Sequence, residues 1–300
     1  MKNITVFLTG GEGLVGKALR SSLSNLNIPC FLIDNARKTH QQTHDNEHNV
    51  TLDKPSVVNA KADLEYRCFI HLAAMSDVGK CEKEPALAHE ANVVLTQQCL
   101  QFSKACQVNH FVFSSSGFLY GDKSKAAHTE IEQVFPINVY LASKLKAEEL
   151  IASFCKKDWD GTATVLRLSN VFGSESGTNT VLGKILDQVK NGNLAIEIFN
   201  GTPSRDFIYL KDVCDALIKL IQTDVGYSFD LFNLSNGSSV EIRKIFALLK
   251  SIVGSIELIE TEKNLVIDSQ LHIDNNKFKS YFDWEPRFGI QKGLEEIVKG

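Results

Sequence analysis

Short apolar runs alternate with longer amphipathic segments over the first 175 residues of the chain. The runs are rich in β-branched and aromatic residues, which is typical of buried strands. They lie at residues 4–8, 30–34, 68–74 and 110–116. The segments between them, of which 85–107 is the longest, predict helices. This alternation predicts an α/β fold of the Rossmann type, with a doubly wound parallel sheet.

A glycine-rich loop joins the first predicted strand to the first predicted helix. It reads TGGEGLVG and places Gly10, Gly13 and Gly16 around Leu14 and Val15. Glycines let a pyrophosphate approach the backbone closely, and the N–H groups at a helix N-terminus favour an anion. The order of strand, glycine loop and helix therefore predicts a dinucleotide-binding site.

The second predicted strand ends in a carboxylate, Asp34, eighteen residues after Gly16. A carboxylate at this place can bind the ribose hydroxyls of adenosine and would repel a 2′-phosphate, which favours NAD over NADP. Arg37 and Lys38 follow closely and keep NADP open as an alternative.

Residues 35–64 are polar, and we expect a solvated loop there. His40, His44 and His48 are spaced four apart, which on a helix would suggest a metal site, but no cysteine or carboxylate pattern accompanies them. We therefore predict no metal. An acidic residue of this segment that contacts adenine would be Asp53 or Asp63, and the sequence does not decide between them.

The strict alternation ends near residue 174. We expect a dinucleotide-binding domain over residues 1–174. Residues 175–300 would form a smaller, mainly substrate-binding α/β part, with some segments returning to the first sheet.

Tyr140 and Lys144 are four residues apart in NVYLASKLKAEEL and project from one face of a predicted helix. An ammonium beside a phenol favours the phenolate, so we expect the pKa of Tyr140 to fall below its usual value of about 10. Such a tyrosine acts as a general acid/base. Ser116, at the end of the preceding strand, would face Tyr140 at the carboxyl edge of the sheet.

Several segments, taken in order, are similar to those of one enzyme family. They are TGGEGLVG, CFLIDN, IHLAA, FSSSGFLYG, YLASK, LRLSNVFG, SRDFIYLKDV and a tail with Trp284-Glu285-Pro286. The sequence resembles the extended short-chain dehydrogenase/reductases, in their nucleotide-sugar epimerase/dehydratase branch, which includes the UDP-glucose 4-epimerases.

The resemblance implies roles for individual residues. The implied catalytic residues are Ser116, Tyr140 and Lys144. The implied cofactor contacts are Gly10, Gly13, Leu14, Val15, Gly16, Asp34, Asn35, Leu72, Ala73, Ala74, Asn92, Tyr140 and Lys144. The implied substrate contacts are Ser116, Asn170, Arg205 and Asp268. The implied cofactor is NAD, with NADP possible, and the implied assembly is a homodimer.

The composition, with 43% apolar and 23% charged residues, is that of an ordinary soluble globular protein. The net charge of -4 gives no reason to expect nucleic acid or an anionic membrane as a partner. The seven cysteines form no CxxC pair, and the N-terminus lacks a signal pattern, so we expect a cytoplasmic protein.

Two departures narrow the implied reaction. The stretch after Ser116 lacks the Asp-Glu pair of the dehydratases, which disfavours a 4,6-dehydratase. No arginine lies between Arg243 and Arg287, which weakens the usual clamp on the diphosphate. We predict an NAD-dependent nucleotide-sugar epimerase, acting at C4 through a keto intermediate. The alternatives are a reductase of a 4-keto nucleotide sugar and a non-catalytic dinucleotide-binding regulator.

Overall fold

A computed structural model describes residues 3–34, 45–53, 66–123, 126–262, 265 and 269–299. The strands are β1 Ile4–Thr9, β2 Cys30–Asp34, β3 Glu47–Thr51, β4 Tyr66–His71, β5 His110–Ser116, β6 Thr162–Leu168, β7 Asn170–Phe172, β8 Ala195–Ile198, β9 Ser204–Tyr209, β10 Phe229–Leu234, β11 Ser239–Glu241 and β12 Glu257–Glu260. Seven of them form one sheet in the order β10-β6-β5-β4-β1-β2-β3. The pairs β1–β2, β2–β3, β1–β4 and β4–β5 are parallel. The predicted Rossmann-type fold is confirmed.

The helices are α1 Leu14–Asn25, α2 Val78–Lys83, α3 Pro85–His89, α4 Leu95–Ala105, α5 Val139–Lys157, α6 Val181–Lys190, α7 Leu210–Gln222, α8 Ile242–Val253, α9 Asn276–Phe282 and α10 Ile290–Lys299. A π-helical turn, Glu90–Val94, joins α3 to α4 within the single helix predicted at 85–107. Within the described ranges, no helix has the length and apolar content needed to cross a membrane.

One face of the large sheet carries phenylalanines at matching positions on four neighbouring strands. Phe7 is paired in register with Phe31 and Phe69, and Phe69 with Phe111. The ring centroids of these pairs are 5.3, 6.3 and 5.2 Å apart. All four side chains are buried, and each contributes about 1.5–3 kcal/mol through the hydrophobic effect. This layer sits against apolar residues of α4 and α5, the helix that carries Tyr140.

The strand β3 falls inside the segment expected to be a loop, and that expectation is wrong for residues 47–51. Its sequence, EHNVT, has no clear apolar alternation. As the outermost strand of the sheet it buries only part of its surface, so polar residues are tolerated. The ring of His48 packs on Phe31 at 4.9 Å, so His48 belongs to a strand, while His40 and His44 lie outside the described residues.

The chain divides into two compact units. Unit one comprises Met1–Leu119, Pro136–Arg167 and Cys214–Phe232. Unit two comprises Tyr120–Phe135, Leu168–Val213 and Asn233–Gly300. Two small sheets, β11-β9-β7 and β12-β8, belong to unit two. Its core includes Phe172, Ile245 and Leu294.

Candidate active site

Two glycines, one in the loop between β1 and α1 and one in the first turn of α1, are required by close backbone packing. Gly10 has a φ of +71°, and a Cβ there would lie 2.7 Å from the backbone nitrogen of Ala73. A Cβ on Gly16 would lie 2.1 Å from the carbonyl oxygen of Gly10. Both positions therefore exclude a side chain. The contact also brings the loop against Leu72 and Ala73, which directly follow β4.

The N-terminus of α1 starts at this loop without a side-chain cap. Gly13 is the N-cap residue and, having no side chain, makes no side-chain cap hydrogen bond. Its own Cβ would come no closer than 3.3 Å to another atom, the oxygen of Gly10. Leu14 and Val15, in the first turn, are partly exposed. Uncapped N–H groups on a glycine-lined surface form a cradle that suits a phosphate.

A carboxylate within the loop, Glu12, is hydrogen-bonded to a buried arginine. Arg20 Nη1 donates to Glu12 Oε1 at 2.5 Å, and Arg20 Nε and Nη2 donate to the two oxygens of Glu47 at 2.7 and 2.9 Å. Both Arg20 and Glu47 are buried, whereas the Glu12 side chain is half exposed. The arrangement ties α1 to β3 and limits the repulsion that Glu12 would exert on an anion.

His71, at the end of β4, is a packed core residue. Its Nδ1 lies 2.6 Å from Thr9 Oγ1 and its Nε2 lies 3.0 Å from Thr96 Oγ1. Burial and the neighbouring Lys144 lower the pKa of His71 to about 3, so the ring is neutral at physiological pH. His71 thus connects the strand ends of β1 and β4 to α4.

The structure brings Ser116 and Tyr140 together. Asn138 caps α5 by accepting a hydrogen bond from the backbone N–H of Leu141 at 2.8 Å, so Tyr140 lies in the first turn of the helix. Its side chain is hydrogen-bonded to that of Ser116, the last residue of β5. Burial raises the pKa of Tyr140 to about 12 despite this bond, and Cys81 adds to the rise. The predicted lowering of this pKa is wrong: desolvation is the largest effect on the phenol.

Lys144 is buried one turn after Tyr140. Its Nζ donates to the carbonyl oxygen of Ser114 at 2.6 Å and lies 4.4 Å from the centre of the Phe113 ring. Burial lowers the pKa of Lys144 to about 8, and the carboxylate of Glu148 opposes that change. The ammonium of Lys144 is therefore directed at β5. This explains why burial, and not the charge of Lys144, is the largest effect on the pKa of Tyr140.

Asn92, in the π-helical turn, binds the backbone after β4 and the helix α5. Its Oδ1 accepts from the N–H of Met75 at 2.7 Å, and its Nδ2 donates to the oxygen of Met75 and to Ser143 Oγ. Ser143 Oγ in turn donates to the carbonyl oxygen of Tyr140 at 2.7 Å. Both amide protons of Asn92 are thus used within the protein, which favours a positioning role over the predicted direct contact with a cofactor.

Unit two holds two of the predicted substrate contacts, Asn170 and Arg205. Oδ1 of Asn170 is buried and accepts no hydrogen bond from the described part of the chain. The guanidinium of Arg205 is engaged: it donates to the carbonyl oxygen of Ser269 at 2.9 Å and to its Oγ at 2.6 Å. Nη2 of Arg205 also lies 3.7 Å from Asp122 Oδ2. Burial lowers the pKa of Arg205, and Asp122 counteracts this.

Asp206, next to Arg205, is a fully buried carboxylate that sequence reasoning missed. Its Oδ1 accepts from the backbone N–H of Asn236 at 2.9 Å, whereas its buried Oδ2 accepts no hydrogen bond from the described residues. Burial raises the pKa of Asp206 to about 6, although the hydrogen bond from Asn236 and the nearby His272 act in the opposite direction. The RDF segment itself was the available signal, since it places an acidic residue in a strand.

Five predicted positions lie at the ends of the described ranges or outside them. Asp34 is the last residue of β2, paired in register with Thr51 of β3, and its side chain is not described. Asp53, after β3, is exposed. Asn35 and Asp268 lie outside the described residues, as does Asp63. Within the described ranges, no group of three or more His, Cys, Asp or Glu side chains could hold a metal ion.

Known proteins share both the sequence pattern and the fold of this chain. Residues 6–235 match the profile of the NAD-dependent epimerase/dehydratase family. The chain belongs to this family. A putative UDP-glucose 4-epimerase of Methanocaldococcus jannaschii is 24% identical over 98% of this chain and 97% of its own length. The dTDP-4-dehydro-6-deoxyglucose reductase of Escherichia coli is also 24% identical, over 98% and 96%.

A solved structure from the same branch superimposes on most of the chain. The UDP-glucose 4-epimerase of Thermotoga maritima, determined with UDP-glucose, gives a TM-score of 0.82 at 25% identity. The match covers 98% of this chain and 97% of that one. Membership of the NAD-dependent epimerase/dehydratase family therefore rests on the sequence profile, and the likeness to the solved structure agrees with it.

The described residues fit the cofactor of the family, NAD. Gly10 and Gly16 leave no room for side chains, Gly13 is an open helix start, and Leu72 and Ala73 pack beside them. This is the cradle that a pyrophosphate needs. Lys144 and Tyr140 lie in the same unit on one helix face.

Proposed function

We propose that the protein is an NAD-dependent epimerase that inverts a nucleotide sugar at C4 through a keto intermediate. The observation that carries this proposal is the set of Ser116, Tyr140 and Lys144 assembled at the end of β5, in the same unit as the glycine cradle. Relatives that carry the name UDP-glucose 4-epimerase over almost the whole chain support the same reaction.

Tyr140 would move the proton of the reacting oxygen. Because burial raises its pKa to about 12, the phenol is protonated at neutral pH and suited to donate to the oxygen of a keto sugar. Ser116, hydrogen-bonded to the phenol, would hold that oxygen beside Tyr140. Bound NAD would supply hydride acceptance and return, together with the positive charge of its oxidised ring. A positive charge near the phenol favours the phenolate, which can accept the proton of the sugar hydroxyl.

We infer the remaining cofactor contacts from the predicted residues of unit one. Gly10, Gly13 and Gly16 with Leu14 and Val15 would hold the pyrophosphate at the start of α1. Leu72, Ala73 and Ala74 would flank the cofactor where β4 ends. Lys144 would bind the hydroxyls of the nicotinamide ribose, and Asp34 with Asn35 those of the adenosine ribose.

We infer the substrate contacts from unit two. Asn170, whose buried Oδ1 accepts no hydrogen bond among the described residues, is proposed to receive one from the sugar nucleotide. Arg205 is proposed to bind the diphosphate, and Asp268 to bind the nucleoside. Residues 175–300 would then be the mainly substrate-binding part of the chain.

The decisive experiment combines cofactor content with turnover. The purified protein is denatured, the released dinucleotide is identified, and the native protein is offered UDP-glucose and UDP-N-acetylglucosamine without added coenzyme. We expect bound NAD and formation of the C4 epimer. Tyr140→Phe, which lacks the titratable oxygen, should retain NAD and lose turnover. If the wild type binds NAD but converts none of the added nucleotide sugars, the non-catalytic alternative gains support.

The second candidate is a reductase of a 4-keto nucleotide sugar. It is favoured by the likeness to the dTDP-4-dehydro-6-deoxyglucose reductase of Escherichia coli. A reductase would use the same side chains once and release oxidised cofactor. Stoichiometric consumption of NADH or NADPH by a 4-keto sugar nucleotide, without epimerisation, would replace the first candidate with this one.

We also propose that the protein is a cytoplasmic homodimer, with helices of the 85–107 and 138–156 segments at the interface. Leu87, near the start of the 85–107 segment, is an apolar side chain that is exposed. Sedimentation equilibrium tests the assembly: a mass of 33.3 kDa at micromolar concentration would rule the dimer out, because that is the mass of one chain.

A further inference from the structure

Glu148, which lies on α5 one turn beyond Lys144, forms a buried ion pair with Arg167. Glu148 accepts hydrogen bonds from Arg167 Nε at 3.1 Å and Arg167 Nη2 at 2.7 Å, and from Ser115 Oγ at 2.5 Å. Glu148 and Arg167 are each 5% exposed. A bidentate pair buried to this extent is costly to desolvate, and removing one partner would leave the other as an uncompensated buried charge.

The pair continues a pattern of contacts between α5 and the end of β5. Ser116 bonds to Tyr140, the carbonyl oxygen of Ser114 accepts from Lys144, and Ser115 donates to Glu148. The three helix residues are spaced four apart and therefore lie on one face. Glu148 thus anchors the same surface of the helix that carries the candidate catalytic side chains.

The charge of Glu148 also acts on Lys144. Burial is the largest effect on the lysine and lowers its pKa to about 8, while Glu148 raises it. The other titratable groups near this lysine are His71 on β4, which is neutral, and Tyr140 on its own helix, which is protonated. Arg167, from β6, faces the carboxylate. Among the described residues, Glu148 is accordingly the negative charge that offsets the burial of Lys144.

We propose that Glu148 is a positioning residue for Lys144. Glu148 fixes α5 on β5 through its bonds with Ser115 and Arg167, and it supplies the negative charge that stabilises the buried ammonium. The inference rests on the proposed function in one respect: it assigns Lys144 a place in the active site. Glu148 is not one of the three candidate catalytic residues, which are Ser116, Tyr140 and Lys144. Replacing Glu148 by glutamine would remove this charge and leave the positive charge of Arg167 uncompensated behind Lys144.

The test measures Lys144 directly, without substrate. Protein labelled with ¹³C at the ε-carbon of lysine is titrated by NMR, and the spectrum of Lys144→Met assigns the signal. In Glu148→Gln the midpoint of Lys144 should fall by about one pH unit or more. Two controls separate charge from structure. Ser115→Ala removes a hydrogen bond but no charge and should leave the midpoint close to that of the wild type. Glu149→Gln alters an exposed neighbour paired with Lys146 and should also leave it unchanged.

An unchanged Lys144 midpoint in folded Glu148→Gln would overturn the proposal, as would an equal shift in Ser115→Ala. If Glu148→Gln does not fold, the wild type still decides. The ¹³Cδ signal of Glu148 should then show a step at the midpoint of Lys144, because two interacting charges titrate together. Its absence would also overturn the proposal. These outcomes are independent of turnover, so a protein that fails every epimerase assay can still show the Lys144 shift.

Discussion

The candidate catalytic side chains of unit one and the candidate substrate contacts of unit two differ in how their polar atoms are satisfied. Tyr140, Lys144 and Asn92 are held by bonds to neighbouring strands and helices. Asn170 instead leaves a buried oxygen without a bond among the described residues, and Arg205 is shared between Ser269 and a carboxylate.

This difference separates positioning from recognition. Bonds that are already made fix the geometry of a reacting group before any ligand arrives, which is the condition for efficient acid/base catalysis. A buried acceptor without a bond costs free energy that a ligand donor can recover. The reaction type should therefore depend on unit one, and affinity for the sugar nucleotide on unit two.

The largest effect is expected from Tyr140→Phe. Loss of a general acid/base should reduce kcat by roughly 10²–10⁴-fold while leaving the affinity for NAD nearly unchanged. Steady-state kinetics and NAD binding calorimetry measure the two quantities. Tyr281→Phe, an exposed tyrosine of unit two, is the control. Turnover above a tenth of the wild-type rate in Tyr140→Phe would remove this residue from the mechanism.

Asp206 should make the stability of the protein depend on pH. Its pKa rises from an ordinary value near 3.8 to about 6 in the folded protein, so the folded state binds more protons over this range. The stabilisation from this group is complete below the unfolded pKa and is lost as pH rises through about 6. The free energy of unfolding, wild type minus Asp206→Asn, should fall by about 3 kcal/mol between pH 3 and pH 7.

Urea unfolding at several pH values measures this difference. The comparison between the two proteins cancels the titration of all other groups. A difference that stays constant over the range would mean that the hydrogen bond from Asn236 fully compensates the burial of the carboxylate.

Gly16→Ala should have an intermediate effect on the cofactor. The added Cβ would lie 2.1 Å from the oxygen of Gly10, so the loop must move. Movement of the loop should remove contacts with the pyrophosphate, and we expect NAD binding to weaken by about tenfold or more, which is about 1.4 kcal/mol or more of binding free energy. Calorimetry with NAD checks this. Gly226→Ala, in the same unit, is the matched control because a Cβ there meets no atom within 4 Å. Equal affinities in the two variants would show that the loop does not bind the cofactor.

The parts of the structure that could be predicted are those encoded by neighbours in sequence. The strand, glycine loop and helix order gave the fold class, and the four-residue spacing placed Tyr140 and Lys144 on one helix face. Pairs between distant segments were not predictable. Arg20 meets Glu47, and Glu148 meets Arg167, without any local pattern that announces either pair. The direction of the Tyr140 pKa was wrong for the same reason: spacing shows a neighbouring charge, whereas burial depends on the whole fold.

The smallest effect is expected from Asp122→Asn. Asp122 lies 3.7 Å from Arg205 and accepts a hydrogen bond from Ser269, so its carboxylate competes with an anionic ligand for the guanidinium. A partly exposed pair of this kind is worth at most about 1 kcal/mol, so the affinity for UDP should rise by about two- to fivefold. Calorimetry at low and high salt measures this, with Asp187→Asn, an exposed aspartate of the same unit, as control. A weaker affinity for UDP would instead show that Asp122 orients Arg205 towards the ligand, and unit two would then share the pre-formed geometry of unit one.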